Sequence, residues 1–96
     1  MRIQILDEAE QDLMDGFRFY EAQDQGLGDY FLDTLSSDID SLHIYAGIHP
    51  RYFGYHRLLS NRFPFAIYYR IVNKIVRVHA VLDCRRNPER IEDRLK

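Results

Sequence analysis

The stretch that most constrains the fold is residues 65–88, FAIYYRIVNKIVRVHAVLDCRRNP. Two runs rich in Val, Ile, Phe and Tyr flank Asn73 and Lys74, and such runs around a two-residue loop are typical of a β-hairpin. Asn in the first loop position adopts the positive φ that a tight hairpin turn needs. We therefore predict a hairpin that turns at residues 73 and 74 and leads into a basic exit loop.

The position of this turn determines which residues of the two strands face each other. With residues 73 and 74 as the loop, the numbers of opposed residues sum to 147. Because side chains alternate between the two faces of a strand, one face of the hairpin is then wholly apolar. Its pairs are Phe65–Leu82, Ile67–Ala80, Tyr69–Val78 and Ile71–Val76.

The opposite face of the hairpin carries Arg70 opposite Arg77 and Tyr68 opposite His79. Two arginines directly across a strand pair repel each other. This arrangement favours a surface that holds an anion, and phosphate is the obvious candidate. The alternative is that water and salt screen two flexible arginines, since exposed charges typically contribute less than ~1 kcal/mol.

Length and composition indicate one globular domain over residues 1–96 with a single modest core. The chain is 46% hydrophobic and 29% charged, which is typical of a soluble protein. No apolar run approaches the ~18 residues of a membrane span, and the acidic N-terminal segment is unlike a signal peptide. We therefore expect a cytoplasmic protein with no membrane contact.

The single cysteine, Cys84, permits no internal disulfide and is consistent with a reducing compartment. Arg85 and Arg86 follow it and would lower the pKa of its thiol, as in a nucleophilic or redox cysteine. No His or Asn partner is assigned to it, so catalysis by Cys84 is the less favoured interpretation.

The net charge of −2 hides a division between the two halves of the chain. Residues 1–48 carry 11 acidic and 2 basic side chains, a balance of −9, whereas residues 49–96 carry 4 acidic and 11 basic ones, a balance of +7. Such asymmetry indicates an anionic partner for the second half, either nucleic acid or an acidic protein segment. The two halves could also simply neutralise each other across the fold.

The first half of the chain predicts a strand followed by two helices. Residues 2–6 alternate polar and apolar, and Asp7 with Glu10 forms a variant of the capping box at the start of a helix that ends near Asp24. A second helix follows from about Asp29. Acidic residues, including Asp12, are expected on the solvent side of this helical hairpin, where an acidic face needs no function.

The second half predicts a further strand before the hairpin and a short helix after it. Residues 51–59 read as one strand with Gly54 as a bulge or a close approach of another backbone. We expect its even-numbered residues to face inward, which leaves Arg57 outside with Arg70 and Arg77. The final helix begins at Pro88 and is capped by Asn87.

Known nucleotide and metal signatures are absent from the sequence. There is no Gly-rich phosphate loop, no paired cysteine, no GxSxG and no His-x-x-x-His spacing, so neither a metal nor a cofactor is expected. What remains is a basic and aromatic set suited to binding phosphate and stacking on bases. It consists of Arg57, Tyr68, Arg70, Arg77, His79, Arg85 and Arg86. The same groups could assist RNA cleavage, so whether the protein is an enzyme stays open and no catalytic residue is assigned.

The sequence resembles the RelE/ParE superfamily of toxins from type II toxin–antitoxin systems. The resemblance covers nearly the whole chain, and no single piece carries it alone. The matching segments are Ala9-Glu10-Gln11-Asp12-Leu13, Tyr20-Glu21, Gly26-Leu27-Gly28, Phe31, Arg57, Phe63-Pro64-Phe65-x-Ile67-x-Tyr69 and Arg85-Arg86-Asn87-Pro88.

The resemblance implies an α+β fold of order β-α-α-β-β-β with a final helix, in which an acidic helical hairpin packs on a mainly antiparallel sheet. The long acidic hairpin is more similar to the ParE branch, whose members poison DNA gyrase, than to the RelE branch, whose members cut mRNA on the ribosome. A cognate antitoxin is the implied partner, the system is of the plasmid stabilisation type, and a homodimer or a heterotetramer with the antitoxin is the assembly considered.

One position departs from the family pattern. Many relatives have a His before the final arginines, where this chain has Asp83. A member that uses that His as an acid or base would lack it here, which disfavours nuclease activity. The alternatives are therefore a gyrase-directed toxin, a ribosome-dependent mRNA endonuclease, and a relative that has lost toxicity and persists as a binding protein.

Overall fold

The computed structural model describes all residues 1–96 and has a five-stranded sheet with four helices. The strand order is β1-β5-β4-β3-β2, with β1 parallel to β5 and every other pair antiparallel. The predicted α+β class and the mainly antiparallel sheet are confirmed. No helix has the length and apolar character needed to cross a membrane. The elements are β1 Arg2–Ile5, α1 Asp7–Gln23, α2 Leu27–Asp40, α3 Leu42–Tyr45, β2 Arg51–Tyr52, β3 Tyr55–Leu59, β4 Phe65–Val72, β5 Ile75–Asp83 and α4 Pro88–Leu95.

Helices α1 and α2 form an antiparallel hairpin that packs on one side of the sheet, here called the inner face. The two helices approach closely because Gly16 leaves room for the ring of Phe31: a Cβ at Gly16 would lie 2.4 Å from the Cζ atom of that ring. The carboxylate of Glu21 accepts hydrogen bonds from the backbone N–H groups of Gly26 and Gly28 at 3.0–3.1 Å. Glu21 thus satisfies free donors at the start of α2, which ties the two helices together at their turn.

The start of α1 differs from the prediction. Asp7 is the first helical residue, Leu6 occupies the capping position, and no side chain caps the helix. Asp7 and Glu10 still lie in the first turn, where negative charge is favourable beside the free N–H groups. The capping box predicted from Asp7 and Glu10 is therefore wrong, although the helix begins where expected.

The hairpin of β4 and β5 turns at the predicted residues. Asn73 and Lys74 have φ values of 51° and 65°, which is the left-handed pair that a type I′ turn requires. The predicted register holds from the turn as far as Tyr69 opposite Val78, and Arg70 lies directly opposite Arg77.

Beyond Val78 a β-bulge at His79 shifts the register by one residue. Tyr68 therefore lies opposite Ala80, not His79, and Phe65 lies opposite Asp83, not Leu82. Because one extra residue reverses the alternation of side chains, Ala80 and Leu82 face away from the helical hairpin and Val81 faces toward it. The predicted wholly apolar face is thus correct for β4 but wrong for the last four residues of β5.

The bulge gives the sheet apolar positions on both faces. On the inner face, side chains of β4 and β5 pack with α1 and α2 in a core that includes Leu13, Phe31, Leu35, Ile67, Tyr69 and Val81. On the opposite side, here called the outer face, Ala66, Tyr68, Ala80 and Leu82 pack beneath Ile91 and Leu95 of α4. Helix α4 begins as predicted, with Pro88 first and the Asn87 Oδ1 atom accepting from the Glu89 N–H at 2.9 Å.

The segment predicted as one strand over residues 51–59 is two strands. Phe53 and Gly54 form a second turn with positive φ at both residues, and Tyr52 pairs with Tyr55 across it. His56 and Leu58 do face inward, as expected from the even register. Tyr52, by contrast, packs on the outer face, because the turn reverses the chain before the alternation reaches it.

Asp12 is not on the solvent side of α1, as predicted, but is 8% exposed. Its Oδ2 atom accepts the backbone N–H of Val81 at 3.0 Å, and its two oxygens bind the guanidinium of Arg94 at 2.9 and 2.8 Å. Strand β1 ends at Ile5, so the end of β5 has no neighbouring strand there. Asp12 and α4 therefore cover an edge of the sheet that would otherwise be open.

Candidate functional site: the arginine surface of the outer face

The part of the outer face that α4 leaves uncovered is basic. Arg70 of β4 and Arg77 of β5 are opposed across the hairpin, and Arg57 of β3 lies on the same side, opposite Tyr68. None of the three forms an ion pair with a carboxylate. We call Arg57, Arg70 and Arg77 the arginine surface.

Aromatic rings hold two of these guanidinium groups in place. The Arg57 guanidinium lies over the ring of Tyr52 at 4.8 Å from its centroid, and that of Arg70 lies over Tyr55 at 3.9 Å. Such cation–π contacts fix the plane of the guanidinium without using its N–H donors. Donors of Arg57 and Arg70 therefore stay available for an anion, although Arg57 also interacts with the Tyr68 hydroxyl and the Arg70 Nε atom is 3.4 Å from the Gly54 carbonyl oxygen.

Arg77 has a buried donor with no partner. Its Nε atom is inaccessible to solvent and makes no hydrogen bond within the chain. Its strand partner Arg70 is also positive, and no acid neutralises the pair. Two adjacent guanidiniums with unused donors are well suited to a phosphate or carboxylate, which accepts several hydrogen bonds at once.

His79 lies beside the arginine surface, on the face predicted for it. Its ring packs edge-on against Tyr55 with 5.0 Å between ring centroids. Burial lowers its pKa, Arg70 and Arg77 lower that pKa further, and Glu8 opposes the shift. The imidazole is therefore neutral at pH 7 and has one nitrogen free to accept a proton.

A cleft of 660 Å³ opens above His79. Its lining includes residues from the start of α1 and from the end of α4, and the Glu8 carboxylate lies 3.7 Å from the Arg94 Nε atom. The cleft thus brings together in its lining the His79 imidazole and the Tyr55 ring, which supports Arg70. Its lining includes Gln4, Leu6, Glu8, Tyr55, His79 and Arg94.

Tyr68 lies on the predicted face but is not accessible. It is 1% exposed under α4, and burial raises the pKa of its phenol. The base-stacking role expected of Tyr68 is therefore incompatible with its position. The accessible aromatic residues of this region are in the β2–β3 hairpin, where Phe53 is 45% exposed.

Arg85 and Arg86 are not brought together with the arginine surface. Arg85 binds Asp83 through its Nε and Nη2 atoms at 3.0 and 2.8 Å, and this contact is the main reason that the pKa of Asp83 is lowered. Arg86 lines a separate cleft of 240 Å³ beside α1, with Phe19 and Asp15. Asp83 pairs with the inner-face residue Phe65, so the bulge directs this part of the exit loop toward α1.

Cys84 does not have the lowered pKa expected from its basic neighbours. Burial raises the pKa of its thiol, and Arg57 opposes that shift only in part. Arg85, which was expected to activate the thiol, is paired with Asp83. The thiol is thus mainly protonated at neutral pH, as expected of an unreactive cysteine.

Sequence reasoning missed Tyr52 and Tyr55, which position Arg57 and Arg70. The signal was present: Tyr55 and Arg57 are two residues apart, which places them on one face of a strand. The sequence did not predict the turn at Phe53, which brings Tyr52 beside them.

No group of three or more His, Cys, Asp or Glu side chains is arranged to hold a metal ion.

Comparisons with known proteins give one kind of match. No family model matches the chain, and no curated protein matches it. Among solved structures, it is similar to a chain of the chromosomal ParDE TA system from P. aeruginosa, with a TM-score of 0.71 and 17% sequence identity. The match covers 84% of this chain and 92% of that chain. The chain therefore has a RelE/ParE-like fold, with the helical hairpin packed on the five-stranded sheet.

Proposed function

We propose that this protein is the toxin of a type II toxin–antitoxin system, that it acts on DNA gyrase in the manner of the ParE branch, and that a cognate antitoxin neutralises it. The arginine surface carries this proposal, because three cations without acidic partners are suited to bind an anionic ligand. The similarity to a chain of a ParDE TA system supports the choice of branch.

In this proposal Arg57, Arg70 and Arg77 contact the target, and an acidic segment of the antitoxin covers them in the neutralised state. Carboxylates and phosphates satisfy the same guanidinium donors, so target and antitoxin would compete for one surface. Arg85 and Arg86, on the other side of the sheet, would contribute to a different contact.

The test is expression of the chain alone, with DNA breaks and a DNA-damage response measured alongside translation. A gyrase-directed toxin produces DNA breaks before translation falls, and purified protein stabilises gyrase–DNA cleavage complexes. Arg77→Ala should abolish both effects while the protein stays folded. Arg18→Ala is the matched control, since it removes the same charge from an exposed position on α1.

Persistence of killing by a folded Arg77→Ala protein would remove the arginine surface from this proposal. Normal growth on expression of the wild-type chain would instead favour a relative that has lost toxicity. Co-expression of a neighbouring small reading frame with a DNA-binding N-terminal half should restore growth if it encodes the antitoxin.

A second candidate, ribosome-dependent cleavage of mRNA, is favoured by the position of His79. A neutral imidazole beside two arginines could take the proton of a ribose 2′-OH as that oxygen attacks the phosphorus, while the guanidiniums stabilise the charge that develops on the phosphate. The bond from phosphorus to the 5′-oxygen then breaks, and the imidazolium or water protonates the departing 5′-oxygen. This reaction predicts a halt of translation before any DNA damage, and new mRNA 5′ ends on stalled ribosomes. His79→Gln should then abolish cleavage, whereas His43→Gln, at an exposed position beside Met1, should not.

A further inference from the structure

Phe53 occupies a backbone conformation that its side chain disfavours. Its φ is +53°, and with Gly54 at +82° it forms the turn between β2 and β3. Left-handed φ values at both positions favour Asn-Gly or Gly-Gly, and a bulky residue there is a genuine outlier. The other residues of this chain with positive φ are Asn73, Lys74 and glycines, so Phe53 is the single aromatic one.

Packing does not compensate for this conformation. The Phe53 side chain is 45% exposed, and its one aromatic contact is edge-on with Tyr52 at 4.6 Å between ring centroids. A residue that is strained and leaves half of a large apolar ring in solvent reduces stability at its position. Strained backbone of this kind is concentrated at active and ligand-binding sites, which points to a role for the exposed ring.

The turn that holds Phe53 adjoins the arginine surface. The Gly54 carbonyl oxygen is 3.4 Å from the Arg70 Nε atom, and a Cβ at Gly54 would lie 3.5 Å from the Arg70 Nη2 atom. Tyr52, against which Phe53 packs, also supports Arg57. An exposed aromatic ring thus stands at the edge of a surface with unused guanidinium donors.

We propose that Phe53 is a stacking platform for a base of single-stranded nucleic acid whose phosphates lie on Arg57 and Arg70. Cationic grooves flanked by exposed aromatic rings bind single strands in this way, because every base has a π-face and every nucleotide a phosphate. The ligand class is a single strand of DNA or RNA. This inference rests on the proposed function only in assigning an anionic ligand to the arginine surface.

The test uses the full chain and two fluorescent oligonucleotides, oligodeoxythymidine and oligouridine, with binding measured by anisotropy. A 2-aminopurine base within each oligonucleotide reports stacking through quenching of its fluorescence. The key variant is Phe53→Gly, because glycine relieves the left-handed strain and removes the ring. We expect Phe53→Gly to raise the melting temperature by several degrees and to weaken binding about tenfold.

Two further variants separate stacking from effects on the turn. Phe53→Tyr keeps an aromatic ring and should keep the affinity within about twofold of wild type. Asn73→Gly changes the matched left-handed turn between β4 and β5, which bears no aromatic ring, and should leave binding and quenching unaltered. If Phe53→Gly binds one of the two oligonucleotides, or both, more weakly than wild type does, the result supports the inference and identifies the nucleic acid.

The inference is overturned if Phe53→Gly binds both oligonucleotides as tightly as wild type, since the single strand would then bind without a base stacked on Phe53. It is overturned as well if Phe53→Gly lowers the melting temperature, which would make Phe53 a structural residue, or if the wild-type chain binds neither oligonucleotide. Stabilisation of gyrase–DNA cleavage complexes is measured separately. A Phe53→Gly protein that still stabilises them would leave the proposed function intact.

Discussion

Substitution of Asp12 by Ala tests the contact that joins α1, β5 and α4. The carboxylate accepts the Val81 N–H and binds both terminal nitrogens of Arg94, and its side chain is only 7% exposed. Removing it leaves the Val81 N–H without its acceptor at the uncovered edge of β5. It also leaves Arg94 with Glu8 alone, at 3.7 Å from its Nε atom.

The cost of Asp12→Ala follows from these two losses. A hydrogen bond to a charged group contributes about 1.5–3 kcal/mol to stability. Breaking a buried ion pair costs about 3–5 kcal/mol. Because the Arg94 side chain is 28% exposed and can bind water once Asp12 is gone, we expect the loss of this ion pair to cost about 3 kcal/mol or less. We expect a loss of ~3 kcal/mol in the free energy of unfolding. For a domain of this length that corresponds to roughly 12–24 °C in melting temperature.

Urea unfolding followed by circular dichroism measures this loss, together with Arg94→Ala and the double variant. The coupling energy from the double-mutant cycle should be at least ~1 kcal/mol, because the two side chains share hydrogen bonds. Asp15→Ala is the control: it lies one turn along α1, is exposed, and should change stability by less than ~0.5 kcal/mol. A loss below ~0.5 kcal/mol for Asp12→Ala, or additive single variants, would refute the reasoning.

Three further predictions concern the stability of the fold. Gly16→Ala should cost about 2 kcal/mol in urea unfolding, because its Cβ would lie 2.4 Å from the ring of Phe31. Glu21→Ala should cost roughly 1–2 kcal/mol, since backbone N–H groups at the start of α2 lose their acceptor. Burial lowers the pKa values of His49 and His79, so the unfolded chain binds more protons than the folded one. The free energy of unfolding should therefore decrease as the pH drops below about 6.5, and it should decrease less steeply in the His49→Gln and His79→Gln variants.

Local signals in the sequence account for the parts of the fold that were predicted. Asn73 at a turn flanked by β-branched residues specifies the hairpin within a few residues, as does Asn87 with Pro88 for the last helix. The opposition of Arg70 and Arg77 follows directly from that turn. These features depend on neighbours in the chain, so no knowledge of tertiary contacts is needed.

The features of the fold that were predicted wrongly include contacts between residues distant in the sequence. The sequence of residues 75–82 does not indicate the bulge, and beside the bulge the Val81 N–H donates to Asp12, 69 positions earlier. The shift at His79 then decides the face on which Asp83 and Arg85 lie. The turn at Phe53 was hidden because Phe is unfavourable at left-handed φ.

Helices α1 and α2 contain 10 acidic residues and one basic residue, and they lie on the inner face, opposite the arginine surface. A molecule with this distribution experiences a torque near a polyanion, which turns its positive side forward before any contact forms. Encounters would then occur in a productive orientation more often than the net charge of −2 suggests. The association rate should accordingly fall steeply as added salt shortens the Debye length from about 10 Å at 0.1 M ionic strength to about 3 Å at 1 M.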